Sequence, residues 1–153
     1  MPLAVEHRTF IRSTPEDLYA RLTSGSGWEG WFATEASIGD KIGSPVYFRW
    51  QNFGADRYSA EDYGHVATLD DGRSFAFTWH PGSTETLVSF TFEQFGNGCM
   101  LIVKETGYSG AERDIATALS VASGWGEALT LFKFFVEHNL LYGPVPSDRK
   151  WHV

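Results

Sequence analysis

The sequence predicts an α+β fold in which one curved antiparallel sheet carries a single long C-terminal helix across its concave face. Three observations predict it. Segments of alternating apolar and polar residues follow one another between about residues 44 and 108, separated by short turn signals. The apolar period then lengthens to three or four residues from Ala111 to Tyr142. A strand and short helical segments precede both regions.

The elements follow in order. "AVEHRTFIR" (Ala4 to Arg12) alternates loosely and reads as a strand. In "STPEDLYARLT", Ser13 or Thr14 suits an N-cap, Pro15 the first helical turn, and Glu16 and Asp17 the positive end of the helix dipole. "SGSGWEGWF" places Trp28 and Trp31 three apart and reads as a second short helix or turn. "SPVYFRW" sets Val46, Phe48 and Trp50 on one face, and "DYGHVATLD" sets Tyr63, His65, Ala67 and Leu69 on one face. The stretch between them, "WQNFGADRYSAEDYG", reads as a long polar linker, with Glu61 and Asp62 as solvated turn charges. Asp71-Gly72 opens a hairpin that leads to Phe75, Phe77 and Trp79; Thr86, Val88, Phe90 and Phe92 share the next inward face. Asn97-Gly98 signals another hairpin, after which Leu101, Val103 and Glu105 align. About six strands are expected after the short helices. The last periodic stretch, with Ile115, Leu119, Ala122, Trp125, Leu129, Phe132, Val136 and Leu140 on its apolar stripe, predicts one helix of about 30 residues, roughly 45 Å long, stopped by Gly143-Pro144. Residues 1–143 read as one domain and 144–153 as a tail.

The bulk composition narrows the function. A chain of 153 residues can bury a core without staples. Its aromatic content of 16%, with 6 Trp and 12 Phe, suits a large core or the wall of an apolar cavity. The net charge of -7, with no basic run, argues against nucleic acid as a partner. The single cysteine, Cys99, allows no internal disulfide, and no N-terminal apolar segment reaches membrane length. A soluble cytoplasmic protein without membrane insertion is expected. The five histidines show no zinc-type spacing, and no phosphate-binding or nucleophile-elbow motif occurs, so neither metal nor cofactor is expected.

Three segments carry a resemblance that covers the chain from about Val5 to Tyr142: "TFIRSTPEDLYARLTSGSGWEGWF", "FAFTW", and "VKETGY" with "SGWGEALTLFKFFVE". Together they resemble the START/Bet v 1-like (SRPBCC) superfamily with its helix-grip fold, and within it the family of activator of Hsp90 ATPase homologues. The resemblance implies a cavity between sheet and helix that takes apolar ligands. It also leaves open a cavity enzyme of the cyclase, dehydratase or hydrolase kind, and a homodimer. A chaperone-associated interaction module ranks last.

The expected ligand is a small apolar or aromatic molecule. The candidate contacts are Trp31 at the mouth, Phe48, Trp50, Phe77, Trp79 and Phe90 on the inward strand faces, and Trp125, Leu129 and Phe132 on the helix. Tyr63, His65 and Glu105 are the polar candidates. His65 suits a ligand anchor or proton carrier, and an inward Glu105 could orient a hydroxyl or act as a general acid or base. No catalytic residue is assigned. Gly124 and Gly126, which flank Trp125, cost a helix about 1 kcal/mol each against alanine. Close packing is the favoured explanation for them, and room for a ligand the other.

Overall fold

The computed structural model describes residues 3–143. Strand β1 (Val5–Ile11) leads into helix α1 (Pro15–Leu22), then strands β2 (Glu35–Ile38), β3 (Pro45–Phe53), β4 (Tyr58–Asp70), β5 (Ser74–Trp79), β6 (Thr86–Phe95) and β7 (Gly98–Thr106), and finally helix α2 (Glu112–His138). The seven strands form one sheet in the order β1-β7-β6-β5-β4-β3-β2, with every neighbour antiparallel. Bulges between Trp50 and Phe53 and between Val66 and Thr68 bend it. The result is the curved open sheet and long C-terminal helix of the helix-grip fold.

Helix α1 starts where its caps dictate. The Asp17 N–H donates to Thr14 Oγ1 at 3.0 Å, Pro15 occupies the first turn, and Leu18 and Leu22 are buried. The expected second short helix is only a 3₁₀ turn, Gly25–Gly27, seated so close to α1 that a side chain on Gly27 would run into the Arg21 carbonyl. Trp28 and Trp31 follow as core plugs. They stack at 5.2 Å, and their indole N–H groups donate to the Leu22 and Gly27 carbonyls.

The "WQNFGADRYSAEDYG" stretch is a hairpin rather than a linker. β3 extends to Phe53, and β4 returns from Tyr58. The second predicted hairpin sits one residue early. Phe95 pairs with Gly98, so the loop is Gly96-Asn97, and Gly96 takes the positive φ of 56° at the first central position that a II′ turn needs. Short β2, with four residues, was not individually legible.

Helix α2 is the second correction. Its buried face is Asp114, Ala118, Trp125, Leu129, Phe132 and Phe135, whereas Ile115 and Leu119 are exposed. The predicted stripe therefore holds from Trp125 to Phe132 and fails toward the N-terminus. Asp114 sets the face there: its carboxylate accepts from the Ser109 N–H at 2.6 Å and the Thr84 hydroxyl at 3.0 Å. The helix also ends before Gly143. Asn139 adopts the left-handed conformation, φ 58°, and its N–H donates to the Phe135 carbonyl. Tyr142 and Gly143 then both donate to the Gly30 carbonyl. The predicted tail, 144–153, lies outside the described residues. By length and composition α2 could cross a membrane, yet Trp125, Leu129 and Phe132 pack into the sheet's aromatic core.

The Ser109 N–H holds the Asp114 carboxyl below the usual carboxylate range. A depressed folded value stabilises the protein above the unfolded value of about 3.9 and loses that contribution as pH falls through the folded value. Thermal unfolding followed from pH 6 to pH 2 should therefore show a steeper acid loss in the wild type than in Asp114→Asn. Identical slopes would remove this role.

Candidate functional site

The backbone of α2 comes close to β1, and aromatic rings occupy the space between the helix and the strands beyond it. Trp28 meets Phe48, Phe77 and Phe90 edge-on, and Trp31 lies 4.7 Å from Phe132. This packed middle contains Trp31, Phe48, Phe77, Phe90, Leu129 and Phe132, all fully or almost fully buried. The filling stops at the N-terminal half of α2. There a cleft of about 270 Å³ opens between Ser120, Val121, Gly124 and Trp125 of the helix and the ends of β3, β4 and β5.

One wall is aromatic. Phe32 stacks on Trp125 at 5.6 Å with an interplanar angle of 11°, and Trp79 sits 5.8 Å from Trp125. Trp50 lies 5.6 Å from Phe32 and 5.5 Å from Tyr58. Of the sequence candidates, Trp50, Trp79 and Trp125 line the cleft. Trp31, expected at the mouth, is 1% exposed and belongs to the core; its neighbour Phe32 lines the cleft instead.

All three cleft indoles have their N–H groups satisfied by the protein. Trp50 donates to the Phe32 carbonyl at 2.6 Å. Trp79 and Trp125 donate to opposite oxygens of Glu105, Oε2 at 2.9 Å and Oε1 at 2.8 Å. Glu105 Oε2 also accepts from Thr86 at 2.6 Å and Tyr108 at 3.0 Å. Indole nitrogen can only donate, so Glu105 is the acceptor in both contacts. Burial, then the Glu105 charge, pushes the Tyr108 hydroxyl pKa upward. Glu105 faces inward as its parity with Leu101 and Val103 predicts, but it is fully buried behind Trp79 and Trp125. It orients the wall and does not line the cleft.

The other rim is polar: Tyr58, Glu61, Asp62, His80 and Ser120. Asp62 pairs with Phe48 across β3 and β4, so both point inward. Its side chain is only 10% exposed and accepts from the His80 backbone N–H at 2.9 and 3.1 Å and from the Tyr63 N–H at 2.8 Å. Burial is the largest influence on this carboxyl and raises its pKa against those hydrogen bonds. Asp62 is thus no solvated turn charge.

Tyr63 and His65 require the opposite correction. Tyr63 is 59% exposed on the outer face, paired with Tyr47, and His65 is exposed beside it. The reason is the bulge between Val66 and Thr68. Leu69 pairs with inward Phe75, and Val66 with inward Phe77, so the alternation changes phase between them. Counting back from Leu69 in steps of two turns the first half of β4 inside out. Asp62 was missed because it reads as a turn charge, Tyr58 because it falls in the stretch that reads as a linker, and His80 because it lies just past β5; the inward partner of Phe48 was the signal that would have found Asp62.

Gly124 answers the question its helix raised. A Cβ built there meets nothing within 4 Å, and one on Gly126 comes only to 3.8 Å from His7. Close packing explains neither glycine, and Gly124 fronts the cleft. Among the described residues no group of three His, Cys, Asp or Glu side chains could hold a metal ion. Cys99 is buried, and burial pushes its thiol up to about 11.

The fold recurs in solved structures. A protein from Rhodobacter sphaeroides superposes with a TM-score of 0.74 at 22% identity, over 90% of this chain and 93% of that one. The Aha1 dimer from Colwellia psychrerythraea gives 0.72 at 20% identity, over 89% and 97%. DynU16, a putative protein in the dynemicin biosynthetic locus, gives 0.73 at 14% identity, over 97% of this chain and 56% of that one. At these identities the likeness is one of fold. No curated protein matches the chain. The decisive match is to a family model: residues 12–137 fit the family described as Activator of Hsp90 ATPase homolog 1-like protein, and the chain belongs to that family.

Proposed function

We propose that this protein binds a small, flat, apolar or aromatic molecule in the cleft between the sheet and the N-terminal half of α2. The observation that carries the reading is the pairing of a wall of three indoles with an empty position opposite any side chain at Gly124. Rings whose N–H groups are already bonded offer a guest their faces and edges. Removing about 100 Å² of apolar ligand surface from water gains about 2.5 kcal/mol, and ring stacking adds to it. Of the sequence candidates, Trp50, Trp79 and Trp125 are the proposed contacts, joined by Phe32 and Tyr58.

The enzyme reading had rested on Glu105 or His65. Glu105 is sealed behind the wall and His65 faces outward, so neither reaches a guest in the cleft. Ligand binding without assigned chemistry is the reading that the geometry supports best.

Titration with N-phenyl-1-naphthylamine, a neutral fluorescent probe, tests it. Saturable one-to-one binding with quenching of tryptophan emission is expected. Emission that grows without saturation, at any protein concentration, would remove the cleft as a ligand site.

A further inference from the structure

The electrostatics of the cleft select among ligands. We infer that the natural guest carries a positive charge: an aromatic or compact apolar molecule bearing a protonated or quaternary amine, seated between the indole wall and Asp62. The inference rests on the cleft being a ligand site and adds the charge of the ligand to that reading.

The argument is a census of donors and acceptors at one place. The three indole N–H groups, the obvious donors of an aromatic wall, are all committed to the Phe32 carbonyl or to Glu105. Among the described residues no lysine or arginine lines the cleft. The side-chain donors that remain at the rim are the Tyr58 and Ser120 hydroxyls and the His80 ring. A ligand carboxylate or phosphate therefore finds no fixed positive partner other than His80. That ring is already occupied. Its Nδ1 lies 3.1 Å from the Tyr63 carbonyl oxygen and 3.5 Å from Asp62, and its Nε2 lies 3.6 Å from Glu85.

The negative side is larger. Glu61 and Asp62 line the cleft, but only Asp62 turns its carboxylate inward; the Glu61 carboxylate is held by Tyr63 on the outer face, where Glu61 pairs across the strands with Arg49, and Glu85 stands behind His80. Even a charged His80 offsets only one of the two carboxylates beside it, Asp62 and Glu85. The same cleft is lined by the rings of Trp50, Trp79 and Trp125, and an aromatic face attracts a cation, most strongly where water is excluded. The net charge of -7 points the long-range field the same way. A carboxylate and an aromatic wall on two sides of one small cleft make complementary contacts to an ammonium head and its apolar body.

Calorimetric titration of the full chain with three ligands of one shape tests the assignment: 2-phenylethylamine, 2-phenylethanol and phenylacetate at pH 7.5. The amine should bind at least tenfold more tightly than the alcohol, and phenylacetate should show no saturable binding. Asp62→Asn, whose amide oxygen can still accept from the His80 N–H, should bring the amine down to the level of the alcohol. If that variant does not fold, exposed Glu85→Gln, which removes the carboxylate behind His80, carries the test and should reduce the amine preference several-fold. Equal or tighter binding of the alcohol or phenylacetate overturns the charge assignment, as does a preference that survives in every folded variant. If none of the three binds while N-phenyl-1-naphthylamine does, the charge assignment falls and the cleft stands. If the dye fails as well, both fall.

Discussion

Replacing Glu105 with leucine should lower the unfolding free energy by about 2–6 kcal/mol, the range for leaving two buried N–H donors without an acceptor. Four donors converge on this carboxylate, from β5, β6, the segment after β7, and α2. Thr86 and Tyr108 can rotate their hydroxyls in search of another acceptor. The indoles of Trp79 and Trp125 cannot, because each ring is fixed by packing and its nitrogen has no acceptor role. An orphaned buried donor costs about 1–3 kcal/mol, so the two indoles account for most of the loss. Urea unfolding should show a lower midpoint with an unchanged slope, and the melting temperature should fall by about 10 °C. Glu105→Gln keeps the shape but points an amide N–H₂ at donors, and should fall between wild type and leucine. Both variants should bind N-phenyl-1-naphthylamine more weakly, since the wall that they loosen is the wall of the cleft. An unchanged midpoint in Glu105→Leu would mean that the four contacts stabilise nothing.

Gly124→Leu should move stability and binding in opposite directions. Leucine restores helix propensity worth about 1 kcal/mol relative to glycine, and nothing stands within 4 Å of its Cβ to oppose it. The variant should therefore melt at a higher temperature than wild type. Its side chain enters the space beside Trp125 and should weaken dye binding by more than tenfold. Gly124→Ala separates the two effects, because it gives a similar gain in stability with a much smaller intrusion. Undiminished binding by Gly124→Leu would place the ligand elsewhere.

The fold was legible because its signals are local. The β1 alternation, the Thr14-Pro15 helix start and the Asp71-Gly72 turn each depend on a few neighbouring residues, and each appears where the chain predicts it. The inward faces of β3, β5, β6 and β7 followed from simple parity, Glu105 among them. The site was less legible because it depends on phase and on long-range partners. One bulge after Val66 reversed the reading of Tyr63 and His65, and Asp62 lay in a stretch that reads as a turn rather than a strand. On α2, apolar residues occur on two adjacent faces, and the one that turns inward is marked by long-range partners: Asp114 tied to Ser109 and Thr84, and Trp125 tied to Glu105. No pattern within one segment announces that Trp79, Thr86, Tyr108 and Trp125 share one acceptor.

That shared acceptor has a thermodynamic consequence. The rings around the cleft lose their rotational freedom when the chain folds, so an arriving guest need not immobilise them. Association should then resemble entry into a rigid receptor, with a modest entropic penalty and a heat-capacity change set by the apolar area covered.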